Sequence, residues 1–383
     1  MSMLLCAAGM LPLKFSKIPY RMEITVSLFL LLLGPLFVFM AYHFGGRHLK
    51  RFDPIVLAYG AGLAFPLLGV EIHEEIAKTV GGAAIGLCLP LLILNMDIRS
   101  SLDLFPRAIF AMTLFCLSVI VCAAAASPLL VNMEHAKTVS GMLAATFIGS
   151  APNLASVGIA LNLPQSIFLQ VQSVDLFVSA CFLLFTISIG IPLILPIIPL
   201  KRTISKQLKN KPAQSGKSYT LGVFLSIGTL GLAVLISRLF SKEHQTLVAI
   251  VMIAGISMML ACIPVRSYIR NTSRLGEFCF WLFCVSTGSQ ISFQVIQQLP
   301  ISLFYFAATL LLASIVVHFI LCKLLKIEKH LFIVAILAGI FSPVMVVPLA
   351  KRIGGDHLPL VALTVGLLGL AVGSIGGLIV AHI

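Results

Sequence analysis

Residues 141–164 read GMLAATFIGSAPNLASVGIALNLP, an apolar stretch of membrane-crossing length that carries Ser150 and Pro152 near its middle. Proline lacks a backbone N–H and its ring clashes with the preceding turn, so a helix is expected to break or kink there. In hydrocarbon the freed backbone groups must find partners, which confines such breaks to a protein interior or a watery cavity. The stretch therefore predicts a broken transmembrane helix in a polytopic membrane protein.

A second stretch of this kind lies near the other end of the chain. Residues 335–359 read AILAGIFSPVMVVPLAKRIGGDHLP, with Ser342 directly before Pro343. Broken helices at corresponding positions of two halves point to a transporter binding site, because half-helix ends present N–H and C=O groups to a solute or an ion. An ordinary proline kink is the alternative for either helix alone.

Composition places the whole chain in a membrane. Of 383 residues, 59% are hydrophobic and 10% are charged, against roughly 25% charged in an average soluble domain. The net charge of +13 comes from basic residues in short loops between apolar segments, which the positive-inside rule explains. A nucleic-acid partner is not expected, because these residues do not cluster on one folded face.

Apolar windows of about 20 residues, each long enough to cross a bilayer, recur along the chain. They predict an all-α membrane protein of about twelve spans. The predicted spans are 23–44, 53–70, 81–99, 105–126, 138–162 and 167–200, then 219–239, 247–262, 273–293, 299–322, 329–353 and 357–381.

The order of these spans indicates a duplicated architecture. We expect an N-terminal extension at 1–22, a first transmembrane repeat at 23–200, a basic cytoplasmic linker at 201–217 and a second repeat at 218–383. The linker has six Lys or Arg and no acidic residue. Six simple spans per half would give parallel repeats and place the basic loop 45–52 outside, against the charge rule. Either one segment does not fully cross, or a crossing is hidden within 167–200.

Three stretches carry a family resemblance: 141–177, 315–330 (IVVHFILCKLLKIEKH) and 357–383 (HLPLVALTVGLLGLAVGSIGGLIVAHI). They resemble the YjcL-like membrane family, whose function is unknown. More distantly, the chain is similar to bile-acid:sodium symporters and cation:proton antiporters. This resemblance implies inverted repeats, a core domain that moves against a panel domain, and a site where two broken helices cross.

The resemblance also assigns positions to the two breaks. Gly149, Ser150 and Asn153 match the first motif, in which the family prefers two glycines followed by an asparagine. The second motif departs from the family pattern of two glycines, a proline and a threonine. Here this chain has Phe341, Ser342, Pro343 and Met345.

Asp175 is the main candidate for ion chemistry. It lies in QVQSVDLFVSACF, with Gln172 just before it. A carboxylate near the bilayer centre costs about 2.5 to 3.5 kcal/mol on insertion scales, so it is usually paired or functional. Its place after the first broken helix resembles that of the ion-binding acid of cation:proton antiporters. A structural aspartate near a helix end is the alternative.

Other polar residues complete the predicted site. The Asn153 amide suits either sodium coordination or an organic anion, whereas a helix cap is its structural alternative. Asn95 ends the third span, and Thr287 and Gln290 end its counterpart in the second half, so they could line one mouth of the core. Gly369, Gly373 and Gly377 recur every four residues, a pattern typical of close helix packing.

These observations favour a secondary transporter of a small, anionic organic solute, with sodium or protons as the coupling ion and no other cofactor. A sodium:proton antiporter that uses Asp175 is the first alternative, and a non-transporting receptor or scaffold is the second. An enzyme is not expected, since GxSxG, HExxH and P-loop motifs are lacking. Expected partners are the lipid bilayer, the solute or ion, and a second copy in a homodimer. We expect a bacterial inner-membrane location.

Overall fold

The computed structural model describes residues 20–44, 53–70, 72–94, 103–130, 133–200, 218–241, 245–262, 272–291, 297, 299–354 and 358–383. Within these ranges the chain forms helices joined by short turns, so the predicted all-α class is confirmed. The predicted linker 201–217, most of the N-terminal extension and the basic loop 45–52 lie outside the described residues.

The helix bounds follow the predicted spans closely. The helices are α1 (Tyr20–Phe44), α2 (Pro54–Leu67), α3 (Glu74–Ile93), α4 (Phe105–Ala126), α5 (Ala136–Gly149), α6 (Ala151–Ala160), α7 (Gln165–Phe185), α8 (Tyr219–Ser237), α9 (Gln245–Cys262), α10 (Ser273–Gly288), α11 (Ile301–Leu324), α12 (Lys329–Ile340), α13 (Pro343–Gly354) and α14 (Leu358–His382). Beyond α7 the chain continues as a π-helix, Thr186–Ile194.

Length and apolar composition identify a multi-pass membrane protein. Among the described residues, seven stretches are long and apolar enough to cross a bilayer: Ile24–Tyr42, Glu74–Ile93, Phe105–Leu130, Gln165–Leu193, Tyr219–Ser237, Ile301–Leu324 and Leu358–His382. Large apolar side chains such as Phe29, Phe224 and Leu312 lie on the outside, where lipid rather than water accommodates them.

The chain forms two compact units. Unit 1 comprises the described residues of Met1–Ile85 and Phe278–Gln298. Its helices α2 and α10 approach closely, because a glycine of each helix faces the backbone of the other. A Cβ atom on Gly288 would lie 2.6 Å from the Tyr59 carbonyl oxygen, and a Cβ on Gly62 would meet the Val285 carbonyl.

Unit 2 comprises the described residues of Gly86–Glu277 and Leu299–Ile383. Its centre is α14, which packs against α4, α5, α12 and α13. Most of the α14 side chains that face these neighbours are buried. The division of the chain into two sequence repeats stays a prediction.

Candidate functional site

The first predicted break is a reversal of the chain. A Cβ atom on Gly377 of α14 would lie 2.5 Å from the Gly141 carbonyl oxygen of α5 and 3.0 Å from Val157 Cγ2 of α6. In a continuous helix, residues 141 and 157 would be about 24 Å apart. The two helices therefore run side by side in opposite directions, and we call Ala136–Ala160 hairpin 1.

The second break is also a reversal. A Cβ atom on Gly354, at the end of α13, would lie 3.9 Å from His330 Cδ2, at the start of α12. A continuous helix would separate these residues by about 36 Å. We call Lys329–Gly354 hairpin 2. The two breaks thus lie at the predicted positions, and at each of them the chain turns back on itself.

The two hairpins approach α14 from its opposite ends. At the base of hairpin 1, Lys137 Nζ donates to the carbonyl oxygen of Ile383 at 3.1 Å. At the base of hairpin 2, Gly354 contacts Leu358 at the other end of α14. With 25 residues, α14 is roughly 37 Å long, which exceeds the hydrocarbon thickness of about 30 Å.

The tips of the hairpins meet near the middle of α14. Gly369 lies against the Ile148 carbonyl at the tip of hairpin 1, and a Cβ on Gly366 would lie 3.0 Å from Pro343 Cα at the tip of hairpin 2. A Cβ on Gly339 would stand 2.7 Å from the Phe147 carbonyl oxygen, so the ends of α5 and α12 adjoin. The predicted residues Gly149, Ser150, Pro152, Ser342 and Pro343 belong to these tips.

Ser150 produces the first reversal. Its backbone has φ 68° and ψ 178°, a region that is essentially reserved for glycine and costs another residue about 1 to 3 kcal/mol. The Ser150 hydroxyl donates to the Gly149 carbonyl oxygen at 2.6 Å and makes no hydrogen bond to the N-terminus of α6. A proline kink alone does not reverse a helix, whereas this backbone conformation does.

Asn153 fastens the tip of hairpin 1 to α14. Its Nδ2 donates to the Gly149 carbonyl oxygen at 2.6 Å, and its Oδ1 accepts from the Ser374 N–H at 3.1 Å and from the Ser374 hydroxyl at 2.5 Å. The side chain is 2% exposed. Asn153 lies inside α6, whose N-cap is Ser150. A ligand at Asn153 would share an amide that already joins the tip to α14.

The second tip is less polar. Phe341 has an extended backbone, with φ −99° and ψ 156°. The Met345 N–H donates to the Ser342 carbonyl oxygen at 2.9 Å and lies 3.4 Å from the Ser342 hydroxyl. Ser342 thus serves first as the cap of α13. In the second motif this chain lacks the two glycines and the threonine of the resembled family. Most polar groups near the two tips therefore belong to hairpin 1.

Asp175 is buried on the face of α7 that meets both hairpins. Phe168, seven residues earlier, would lie 2.9 Å from a Cβ on Gly158 of hairpin 1. Phe182, seven residues later, stacks on Phe341 of hairpin 2 with ring centroids 6.2 Å apart. Residues seven apart share one helix face, so Asp175 also faces the hairpins.

The height of Asp175 follows from the same contacts. Because α6 and α7 are antiparallel, Asp175 is level with Ala151 at the tip of hairpin 1. Its Oδ1 accepts a hydrogen bond from Ser179 Oγ at 3.2 Å. Within the described part of the chain, no Lys, Arg or His nitrogen lies within 4.0 Å of its carboxylate.

The remaining predicted residues belong to other parts of the chain. Gln172 is exposed on α7. Thr287 and Gln290 belong to unit 1, where each side chain bonds a carbonyl of its own helix: Thr287 Oγ1 to Phe283 at 3.0 Å and Gln290 Nε2 to Ser286 at 3.0 Å. Asn95 lies outside the described residues.

Two polar residues near the first tip were missed by sequence reasoning. Ser374 supplies both hydrogen bonds to the Asn153 carbonyl oxygen, and Thr146 lies on α5 one turn before the tip. Both occur in apolar helices, where an isolated hydroxyl usually bonds its own backbone. Only the packing of α5 against α14 marks them as different.

Comparison with known proteins gives a family but no function. Residues 28–383 match the family described as "Protein of unknown function (DUF819)". The expectation of a family of unknown function that covers most of the chain is confirmed. No curated protein matches the chain, and the distant similarity to bile-acid symporters stays a prediction.

Proposed function

We propose that this chain, which belongs to the DUF819 family of unknown function, is a secondary active transporter of a small, anionic organic solute. The observation that carries the proposal is the meeting of two hairpin tips, from opposite ends of α14, near its middle. Irregular backbone at membrane depth is tolerated where it lies in the protein interior or beside a watery cavity. Such discontinuous helices form the substrate sites of many transporters.

The polarity of the tips supports an anionic solute. Both α6 and α13 begin at a tip, so their N-terminal N–H groups and the positive ends of their dipoles meet there. Ser150 leaves the start of α6 without a side-chain cap. A carboxylate on the solute would accept hydrogen bonds from these N–H groups.

Uptake by reconstituted protein tests the proposal. Proteoliposomes would be given radiolabelled carboxylates, from acetate to citrate, under imposed sodium or pH gradients. At least one solute should accumulate against its gradient. Asn153→Ala should lower that uptake at least tenfold, because it releases the tip from α14, while Asn162→Gly in the exposed turn after α6, where φ is 51°, serves as the control. Flux that ignores both ion gradients would rule out coupling.

A sodium:proton antiporter centred on Asp175 is the second candidate. The observation that favours it is a buried carboxylate that faces both hairpins, with Ser179 as its hydrogen-bond partner. A carboxyl group in such a place can exchange a proton for a cation as the tips expose it to alternate sides.

For this candidate, Asp175→Asn should abolish sodium-driven proton movement across vesicles, measured with a pH-sensitive dye. Asp103→Asn, at an exposed carboxylate before α4, should leave the exchange unchanged. Normal exchange by the Asp175 variant would exclude an antiporter of this kind.

A further inference from the structure

Thr146 is the unusual polar side chain of hairpin 1. It is 1% exposed, and its hydroxyl has no hydrogen-bond partner in the described part of the chain. Three other buried helical hydroxyls of this protein behave differently. Ser118, Ser257 and Ser314 are buried and donate to the carbonyl four residues earlier at 2.6 to 2.7 Å. Buried polar groups are nearly always satisfied, so the Thr146 hydroxyl requires an explanation.

Thr146 lies one turn before the tip of hairpin 1, on a face of α5 that meets the second arm. Met142, one turn earlier on the same helix face, reaches the second arm, because its Cε would lie 3.1 Å from a Cβ on Gly158. Gly149, three residues later on this face, accepts the hydrogen bond from Asn153. Thr146 therefore lies on the face of α5 that meets α6 and the Asn153 amide.

The surroundings are rich in oxygen atoms of partial negative charge. Helix α5 ends at Gly149, so its last carbonyls lack partners within the helix, and the Gly149 carbonyl oxygen lies on the same side as Thr146 and Asn153. The C-terminus of α12 adjoins this end at Gly339, and the C-terminal ends of both helices carry negative partial charge. A small cation is favoured here, since half-helix C-termini and hydroxyl oxygens are typical sodium ligands.

We propose that hairpin 1 binds a sodium ion beneath its tip, with Thr146 Oγ1 as a ligand and carbonyl oxygens from the end of α5 as further ligands. This inference rests on the proposed function and specifies its coupling ion. The cation satisfies the hydroxyl and opposes the negative charge where two helices end. The N-terminus of α6, which has no side-chain cap, remains available to an anionic solute.

Thermal unfolding of the purified full-length protein tests the site without transport. Sodium chloride would be titrated against potassium chloride and N-methylglucamine chloride at constant ionic strength. The melting temperature should rise with sodium alone, because an ion that binds the folded state stabilises it. Thr146→Val, which removes the hydroxyl at similar volume, should weaken the apparent sodium affinity at least tenfold.

Thr229→Val is the matched control. Thr229 is 3% exposed on α8, and its hydroxyl also has no partner among the described residues. If the Thr146 effect reflected only the removal of a buried unpaired hydroxyl, both variants would respond alike. The proposal requires that Thr229→Val keep the full response to sodium.

Several results would overturn the site. One is an equal rise of the wild-type melting temperature with sodium and with potassium. Another is normal sodium binding by the Thr146→Val variant. If Thr146→Val does not fold, Thr146→Ser should retain binding and Thr146→Ala should lose it, measured as equilibrium binding of radioactive sodium. Solute uptake driven by protons alone would overturn this inference and leave the proposed function intact. Sodium binding without any solute uptake would support the sodium site and overturn the proposed transport function.

Discussion

Ser150 is the residue on which the first hairpin depends. Its φ of 68° and ψ of 178° lie where a side chain is strained, and the neighbouring Ala151, Pro152 and Asn153 already begin α6. Backbone strain at Ser150 therefore accompanies a reversal of the chain within one residue. A glycine would adopt this backbone without strain.

Ser150→Gly is thus expected to stabilise the protein by about 1 kcal/mol, at the low end of the strain range, because glycine also gains freedom in the unfolded chain. Thermal unfolding in detergent, followed with a thiol-reactive dye, would show a higher melting temperature. Asn162→Gly is the control. Asn162 has φ 51°, a left-handed conformation that asparagine tolerates, so its gain should be smaller.

A lower melting temperature for Ser150→Gly would contradict the strain argument. It would mean that the hydrogen bond from the Ser150 hydroxyl to Gly149 outweighs the backbone cost.

At the scale of helices, glycines decide which elements approach closely. The sequence predicts close contact from Gly369, Gly373 and Gly377, and the structure shows their partner to be hairpin 1. Glycines spaced four residues apart predict a flat helix face, but they do not identify the element that packs on it. The partner depends on the reversal at Ser150, which brings both arms of the hairpin to the same side of α14.

The same limit explains what the sequence does and does not predict. Proline and serine in an apolar run predict a break at Pro152 and at Pro343, because proline removes a donor in any context. The direction after each break depends on the φ and ψ of Ser150 and Phe341, which composition does not specify. Asp175 could be identified as an unusual carboxylate from its apolar neighbours, but Thr146 could not, since its unpaired hydroxyl is a property of packing.

Gly373→Ala tests the contact between α14 and hairpin 1. A Cβ there would lie 2.6 Å from Asn153 Nδ2 and 3.0 Å from the Ala145 carbonyl oxygen, so overpacking should destabilise the protein by about 1 to 3 kcal/mol. Gly231→Ala on α8 is the control, because nothing lies within 4 Å of its Cβ position. That variant should be neutral or gain up to about 1 kcal/mol of stability.

Both variants would be compared by thermal unfolding, with uptake as a second measurement. An equal melting temperature for the two would show that α14 and hairpin 1 are not in close contact.

At the scale of the whole molecule, two hairpins that turn back on themselves offer an explanation for the conflict between the number of predicted spans and the charge rule. The stretches 138–162 and 329–353 each reverse near the middle, so we expect that neither contributes a crossing. The first of the two explanations offered by the sequence, a segment that does not fully cross, is therefore favoured. The stretch 167–200 has one helical course through Gln165–Leu193. The side of the membrane on which the base of each hairpin lies can then be tested.

Because α14 is long and apolar enough to cross the bilayer, we expect the base of hairpin 1 near Ile383 and the base of hairpin 2 near Leu358 to lie on opposite sides. Lys137 and Lys326 are exposed and mark these bases. In a background without native cysteines, Lys137→Cys and Lys326→Cys should react with a membrane-impermeant maleimide from opposite faces of sealed vesicles. Permeabilised vesicles, in which both should react, control for access. Labelling of both from one face would exclude oppositely inserted hairpins, and with them the central meeting point on which the transport proposal depends.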